Sequence, residues 1–244
     1  MKRFAPWLTA LALMAPTGAH AQAQTCPAGT TGNDSITCSD QDDDHYGDPG
    51  HDLVRGLRGN DRLSGGEGDD RVFGDEGLDA LSGDAGNDRL RGGSGMDRLY
   101  GGDGNDHMLG GTNGDALAGG MDDDRLLGGP GNDQMKGQGG TDLLRGADGD
   151  DTLNGGAGAD RLEGMWNNDR LYGRGGADRL FGSDGDDHLD GGAGIDIMYG
   201  GIGNDTIVSN DGTKDRIVCG DGYDSVTADP LDKVGKDCED VVRV

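Results

Sequence analysis

Every ninth residue from Asp52 to Asp205 is aspartate, eighteen times without a gap. Two further columns keep the same phase. Five residues before each aspartate stands a glycine, from Gly47 to Gly200. Two residues after it stands an aliphatic side chain, from Val54 to Ile207: twelve Leu, three Met, two Val and one Ile. Another glycine column, two residues before the aspartate, is filled in fifteen of eighteen units; Asn113, Asp122 and Asn167 are the exceptions, and their turns are expected to be weakened. The unit is G-G-x-G-(N/D)-D-x-L-x, as in Gly92-Gly93-Ser94-Gly95-Met96-Asp97-Arg98-Leu99-Tyr100. A strict nine-residue repeat over 47–208 confines the chain to a stacked, quasi-one-dimensional architecture.

Each column has its own physical role. Glycine at positions one, two and four permits positive φ and close backbone approach, so the first six residues read as a tight turn. The last three are too few for a helix and suit a very short strand, its middle side chain buried and its neighbours facing water. One nonapeptide cannot bury one leucine. Two of them back to back can, closing an eighteen-residue coil, and successive coils then stack as parallel strands. The eighteen strict units give about nine coils, a rod about 40 Å long at the usual strand spacing. An earlier in-phase copy lies at Gly29-Thr30-Thr31-Gly32-Asn33-Asp34-Ser35-Ile36. The unit between has Asp43 in place but His45 where an aliphatic belongs. After Ile207 the phase slips by one, and Cys219-Gly220-Asp221-Gly222-Tyr223-Asp224-Ser225-Val226 is a final near-copy.

A single aliphatic per nine residues is too thin a core to offset the entropy of ordering the other eight. Composition agrees: 32% hydrophobic residues, 52 glycines and a formal charge of −26 are, taken alone, the signature of disorder. Stacking worsens the problem, because it sets aspartates of units n and n+2 above one another. Two unit charges about 5 Å apart repel by about 3 kcal/mol at an effective dielectric of about 20. The coils therefore close only with cations between the turns. Carboxylate and carbonyl oxygens in a flexible loop suit calcium, whereas magnesium demands stricter octahedral geometry. Nine turns on each side leave room for at most about sixteen ions, whose charge of about +32 would roughly neutralise the mature chain's net charge of about −28. The same acidity argues against nucleic acid as a partner.

The chain begins as an exported protein does. Lys2 and Arg3 precede an apolar stretch, Phe4 to Ala15, too short to span a bilayer. Ala19-His20-Ala21 and Ala21-Gln22-Ala23 both fit a cleavage site, so 1–23 reads as a signal peptide, with no membrane span after its removal. Four cysteines, Cys26, Cys38, Cys219 and Cys238, lie at the two ends of the remaining chain. An even number in an exported chain points to two disulfides, with three possible pairings. The local pairing, Cys26–Cys38 and Cys219–Cys238, is the expectation. No spacing is a tight C-x-x-C pair, which disfavours zinc.

This pattern resembles the repeats-in-toxin, or haemolysin-type, calcium-binding nonapeptide, strictly over 47–208 and loosely over 29–226. The resemblance implies an all-β, right-handed parallel β-roll of 18-residue coils with disulfide-bearing caps. Segments 24–46 and 209–244 are the expected caps, shielding the open ends of the rod. It further implies calcium ligands at Asp52, Asp61, Asp70, Asp79, Asp88, Asp97, Asp106, Asp115, Asp124, Asp133, Asp142, Asp151, Asp160, Asp169, Asp178, Asp187, Asp196 and Asp205, assisted by turn carbonyls. Asp52 and Asp205 are less secure, being end units, and Asp34 is an extra candidate. Common members of that family carry the repeats after a protease, lipase or pore-forming part and leave through a C-terminal signal; here an N-terminal signal precedes the repeats.

Other residues fit the repeat without needing a separate function. Arginine recurs at position seven (Arg62, Arg71, Arg89, Arg98, Arg125, Arg161, Arg170 and Arg179) and reads as an outward, solubilising row. Aromatics recur at position nine: Phe73, Tyr100, Tyr172, Phe181 and Tyr199. Of these, Phe181 and Tyr199 are two units apart and should stack. The off-pattern turn holding Trp166, Gly164 to Asp169, reads as a bulge, and the scattered His45, His51, His107 and His188 as surface residues. No G-x-S-x-G, H-E-x-x-H or Walker loop is present. The expected function is therefore calcium binding by a non-enzymatic, secreted structural or interaction protein that folds outside the cytosol. Extracellular space, with the periplasm or cell surface as alternatives, is its expected location. A calcium-dependent adhesin or carbohydrate-binding module, contacting cell-surface or matrix glycans or proteins, is the alternative, and a hydrolase or hydrolase accessory the third reading.

Overall fold

The computed structural model describes residues 24–244; the expected signal peptide, 1–23, lies outside the described residues. The chain winds into a parallel β-solenoid. Alternate strands fall into a 13-stranded sheet and a 12-stranded sheet, so that each strand pairs with the strands two before and two after it. Between the two sheets runs the aliphatic column. All eighteen position-eight side chains from Val54 to Ile207 are at most 3% exposed. Ile36 extends this core at one end, and Ile217 and Val226 at the other.

The strands are longer than the three residues expected. From Leu53 to Ile202 each covers six, as in Leu53–Arg58 or Arg71–Glu76, taking in positions seven to nine and one to three of the next unit. Only positions four to six remain as a connection. The ladder explains why. Leu53, Val54 and Arg55 pair with Arg71, Val72 and Phe73, pairing skips the first-position glycine, and Leu57 and Arg58 pair with Asp75 and Glu76. The backbone kinks at position two, where φ is positive, and then resumes its pairing.

The stack does not stop at the strict repeats. On the N-terminal side, Ser35–Thr37 pairs with Leu53–Arg58, and Asp43–His45 with Arg62–Glu67. His45 is not a surface residue: it lies opposite Leu63, fills the aliphatic column and is 5% exposed. On the C-terminal side, the slipped phase is absorbed by longer coils: Ile197 pairs with Arg216, nineteen residues on. The segment expected as a cap, 209–244, is thus itself coiled, ending with Asp240–Arg243 on Ser225–Ala228. The cysteines form the two local disulfides, Cys26–Cys38 and Cys219–Cys238, with Cα separations of 4.6 and 5.3 Å.

Trp166 does not mark a bulge. The strand Arg161–Trp166 keeps register with both neighbours, and Met165 takes the positive φ that position two requires. Asn113, Asp122 and Asn167 likewise keep the left-handed backbone of position four, with φ of 80°, 70° and 74°. Asn and Asp are the side chains that tolerate this region best after glycine, so these departures preserve the turn. Among the described residues no helix is long and apolar enough to cross a membrane.

The column makes a direct stability prediction. Leu171, with no exposed surface, replaced by Ala should lower the unfolding free energy of the calcium-saturated protein by about 2–5 kcal/mol. Leu127→Ala, at an exposed outward position, should change it by less than about 1 kcal/mol. Chemical denaturation of both variants reads the difference.

Candidate metal centre

The turns carry two ladders of opposite sense. At position six, each carboxylate reaches back: the N–H of Asp52 donates to Oδ1 of Asp70 at 2.7 Å, and that of Asp70 to Oδ1 of Asp88 at 2.7 Å. At position five, the Asn, Asp and His side chains reach forward. The N–H of His51 donates to Oδ1 of Asn33, that of Asp69 to Nδ1 of His51, and that of Asn87 to Oδ1 of Asp69. Position four is also engaged, as when the Gly68 N–H donates to the Ala85 carbonyl. In such units all three turn N–H groups are used.

That accounting leaves the second carboxylate oxygen without a donor. The position-six aspartates are at most 3% exposed, yet Oδ2 is buried without a hydrogen-bond partner in seventeen of the eighteen candidates, all but Asp52. Its surroundings explain the strict first-position glycine. A Cβ built on Gly101 would lie within 3 Å of both Asp106 Oδ2 and the carbonyl oxygen of Gly119, one coil on. The same holds at Gly83, against Asp88 Oδ2 and the Gly101 carbonyl. The glycine makes room for two acceptors to converge with no proton between them. A buried, unsatisfied carboxylate oxygen costs free energy, and this one recurs coil after coil. Only a cation or a proton satisfies such a set, and oxygen donors of this kind fit a hard divalent ion.

Electrostatics point the same way. Burial, aided in most cases by neighbouring carboxylates, raises these groups far above the ordinary aspartate range. Asp61, Asp70, Asp142, Asp187 and Asp196 rise to about 6. Asp79, Asp88, Asp106, Asp115, Asp133, Asp151, Asp178 and Asp205 rise to about 7. Asp124 and Asp169 rise to about 8. Asp97 and Asp160 are raised in the same direction by burial.

The sequence profile of the RTX calcium-binding nonapeptide repeat matches the chain in successive segments that together run from 28 to 213. The chain belongs to that family. Its nonapeptides are therefore calcium-binding repeats, and the donorless oxygens lie in the turns that carry the motif. No curated protein matches the RTX chain described here.

Several ladder members were invisible to the strict motif. The N–H of Asp34 donates to Asp52, that of Asp43 to Asp61, that of Asp196 to Asp215, that of Asp205 to Asp224 and that of Asp215 to Asp232. The last rung of the other column is Glu239, which accepts from the Asp224 N–H. At several of these end positions a hydroxyl occupies the gap. Thr30 Oγ1 donates to Asp34 Oδ2 at 2.9 Å and Ser39 Oγ to Asp43 Oδ2 at 2.8 Å. Ser209, which stands where first-position glycine stood, donates to Asp215 Oδ2 at 2.5 Å. Asp34 and Asp215 thus have what the central carboxylates lack, whereas Asp43 keeps a buried Oδ1 without a partner. The aromatic residues separate: Phe181 and Tyr199 stack with centroids 5.1 Å apart, whereas Tyr172 lies on the other sheet beside His188.

Two outcomes follow. Folded-state values raised from 3.8 to about 6–8 mean that the metal-free roll binds protons more tightly than the unfolded chain, so its stability falls as pH rises through that window. In chelator, lowering the pH from 8 to about 4 should therefore recover β circular dichroism. In calcium, Ser209→Ala should cost about 1–3 kcal/mol by orphaning Asp215 Oδ2, read from the denaturation midpoint.

Proposed function

We propose that this RTX protein is a non-enzymatic, exported structural protein whose rod is closed by calcium held at the position-six aspartates. The observation that carries the reading is the column of donorless, buried Oδ2 atoms from Asp61 to Asp205. Each would give its unpaired oxygen to the ion, beside carbonyls of the glycine-rich turns. Bound calcium supplies charge compensation between stacked carboxylates; the chain's own part is to place two acceptors, and no donor, at each gap. Asp52 is a weaker candidate, because its Oδ2 is not among the orphaned atoms. Asp224 joins the set, because its Oδ2 is. Asp34 and Asp215, already served by hydroxyls, are end stops rather than ligands, whereas Asp43 keeps a donorless Oδ1 beside its Ser39 bond.

Folding outside the cytosol follows from the same chemistry. Calcium is scarce in the cytosol, so the chain stays loose until export. The two disulfides then require an oxidising compartment and fix both ends of the stack. The regular repeat, with its turn side chains committed to ladders, supports a structural role over a hydrolytic one.

Circular dichroism of the mature, disulfide-intact chain during a calcium titration tests this directly, with Trp166 fluorescence as a second probe. The expected result is a coil-like spectrum in chelator at pH 8, a cooperative change to β on adding calcium, and no equivalent change with magnesium. Asp124→Asn combined with Asp142→Asn, neighbours in one ladder, should bind fewer ions and fold at higher calcium. A chain compact and fully β in excess EDTA at pH 8 would overturn the proposal.

A further inference from the structure

Winding sorts the charges in a way the linear repeat conceals. Positions seven and nine face outward on both sheets. On the 12-stranded sheet, from Ser35 to Lys233, they carry nine arginines and Lys233 against a single acid, Glu163. On the 13-stranded sheet, from Asp44 to Val242, they carry Arg62, Arg98, Lys136 and Arg170 against Asp44, Asp190 and Asp240. A solubilising row needs no such segregation on a chain of net charge −26.

The basic face is also electrostatically costly. Arg71 stands directly opposite Arg89, Arg161 opposite Arg179, and His107 between Arg89 and Arg125. Like charges paired across strands destabilise a sheet. Part of the cost is met internally: Glu163 takes Arg145 and Arg161 at 2.6 Å, and Asp75 takes Arg55 at 3.3 Å. Arg71, Arg89, Arg91 and Arg179 are exposed and meet no acid within ion-pair distance among the described residues. Apolar surface is interleaved with these charges. Leu109, Leu127 and Leu143 help line a shallow trough of about 370 Å³ between Arg89, Arg125 and Arg145. Further along, the Arg161 guanidinium lies 4.3 Å over Phe181, which stacks on Tyr199 at an interplanar angle of 3°.

We propose that the outer face of the 12-stranded sheet binds a linear acidic polysaccharide laid along the rod axis. Its carboxylates or sulfates would meet the arginine row, and its sugar faces the leucine trough and the Phe181–Tyr199 pair. Guanidinium groups suit such planar or multi-oxygen anions, and the row repeats at the strand spacing of about 4.8 Å, matched to a polymer with one anion per one or two sugars. Across the rod axis the face is only one strand length wide, and acidic turns border both edges. A narrow chain fits it, whereas a bilayer would meet those turns. The proposal rests on the calcium reading, because the face exists only in the wound rod.

The test uses the mature protein in excess calcium, its β spectrum checked first, with hyaluronan, dextran sulfate, neutral dextran and phosphatidylglycerol vesicles as probes in calorimetry. The expected result is binding to hyaluronan or dextran sulfate that weakens with salt, and none to neutral dextran. Joint replacement of Arg71, Arg89, Arg125 and Arg179 by Ser should lower affinity by roughly tenfold or more, with the calcium-induced spectrum unchanged. Replacing Arg62, Arg98 and Arg170 on the other sheet should leave binding intact. A fully β rod that ignores both acidic glycans, binds only vesicles, binds neutral dextran equally, or loses as much affinity through the other sheet, overturns the proposal. A coil spectrum in calcium overturns the folding reading instead, and this one with it.

Discussion

The structure depends on a carboxylate oxygen that has no donor. At each central turn, one oxygen of the position-six aspartate is tied to the backbone of the preceding coil, and the other is buried against glycine and a carbonyl. In turns such as Gly68-Asp69-Asp70 the N–H groups are all used elsewhere. Among the described residues no donor reaches the second oxygen, and coiling repeats the deficit along two columns. A fold with so thin a core therefore has its largest unfavourable term and its remedy at the same place. Under the proposed function, divalent metal between coils would convert a stack of repelling charges into the interaction that holds them in register.

The ends obey the same rule by another route. A stack must stop, and its last turns have a neighbour on one side only. There the chain supplies hydroxyls, from Thr30, Ser39 and Ser209, where central turns have none. The disulfides lie in the same terminal regions, linking Cys26 to Cys38 and Cys219 to Cys238. The terminal coils thus carry covalent bonds and hydroxyl donors that the central turns lack.

How much of this was legible depended on whether it was periodic. The aspartate, glycine and aliphatic columns are strict, and each maps onto one structural position. Position five was visible as Asn or Asp, but not its forward hydrogen bonds, because a residue preference does not state which backbone it serves. The extent of the coil past 208 was hidden by a one-residue slip, which the wound chain absorbs in a nineteen-residue turn. His45 looked misplaced because its column tolerates a ring at the edge of the core. Trp166 suggested an irregularity, yet position three lies at the end of a strand facing water, where bulk is harmless.

The sequence by itself determined the coil, the core and the demand for a cation, because each follows from residue spacing and charge. Only the tertiary structure decided which oxygen lacks a donor, where hydroxyls end the array, and which face gathers the arginines. Those properties depend on neighbours eighteen residues away in the chain, and alternate units that look identical in the repeat are sent by winding to opposite sides of the rod.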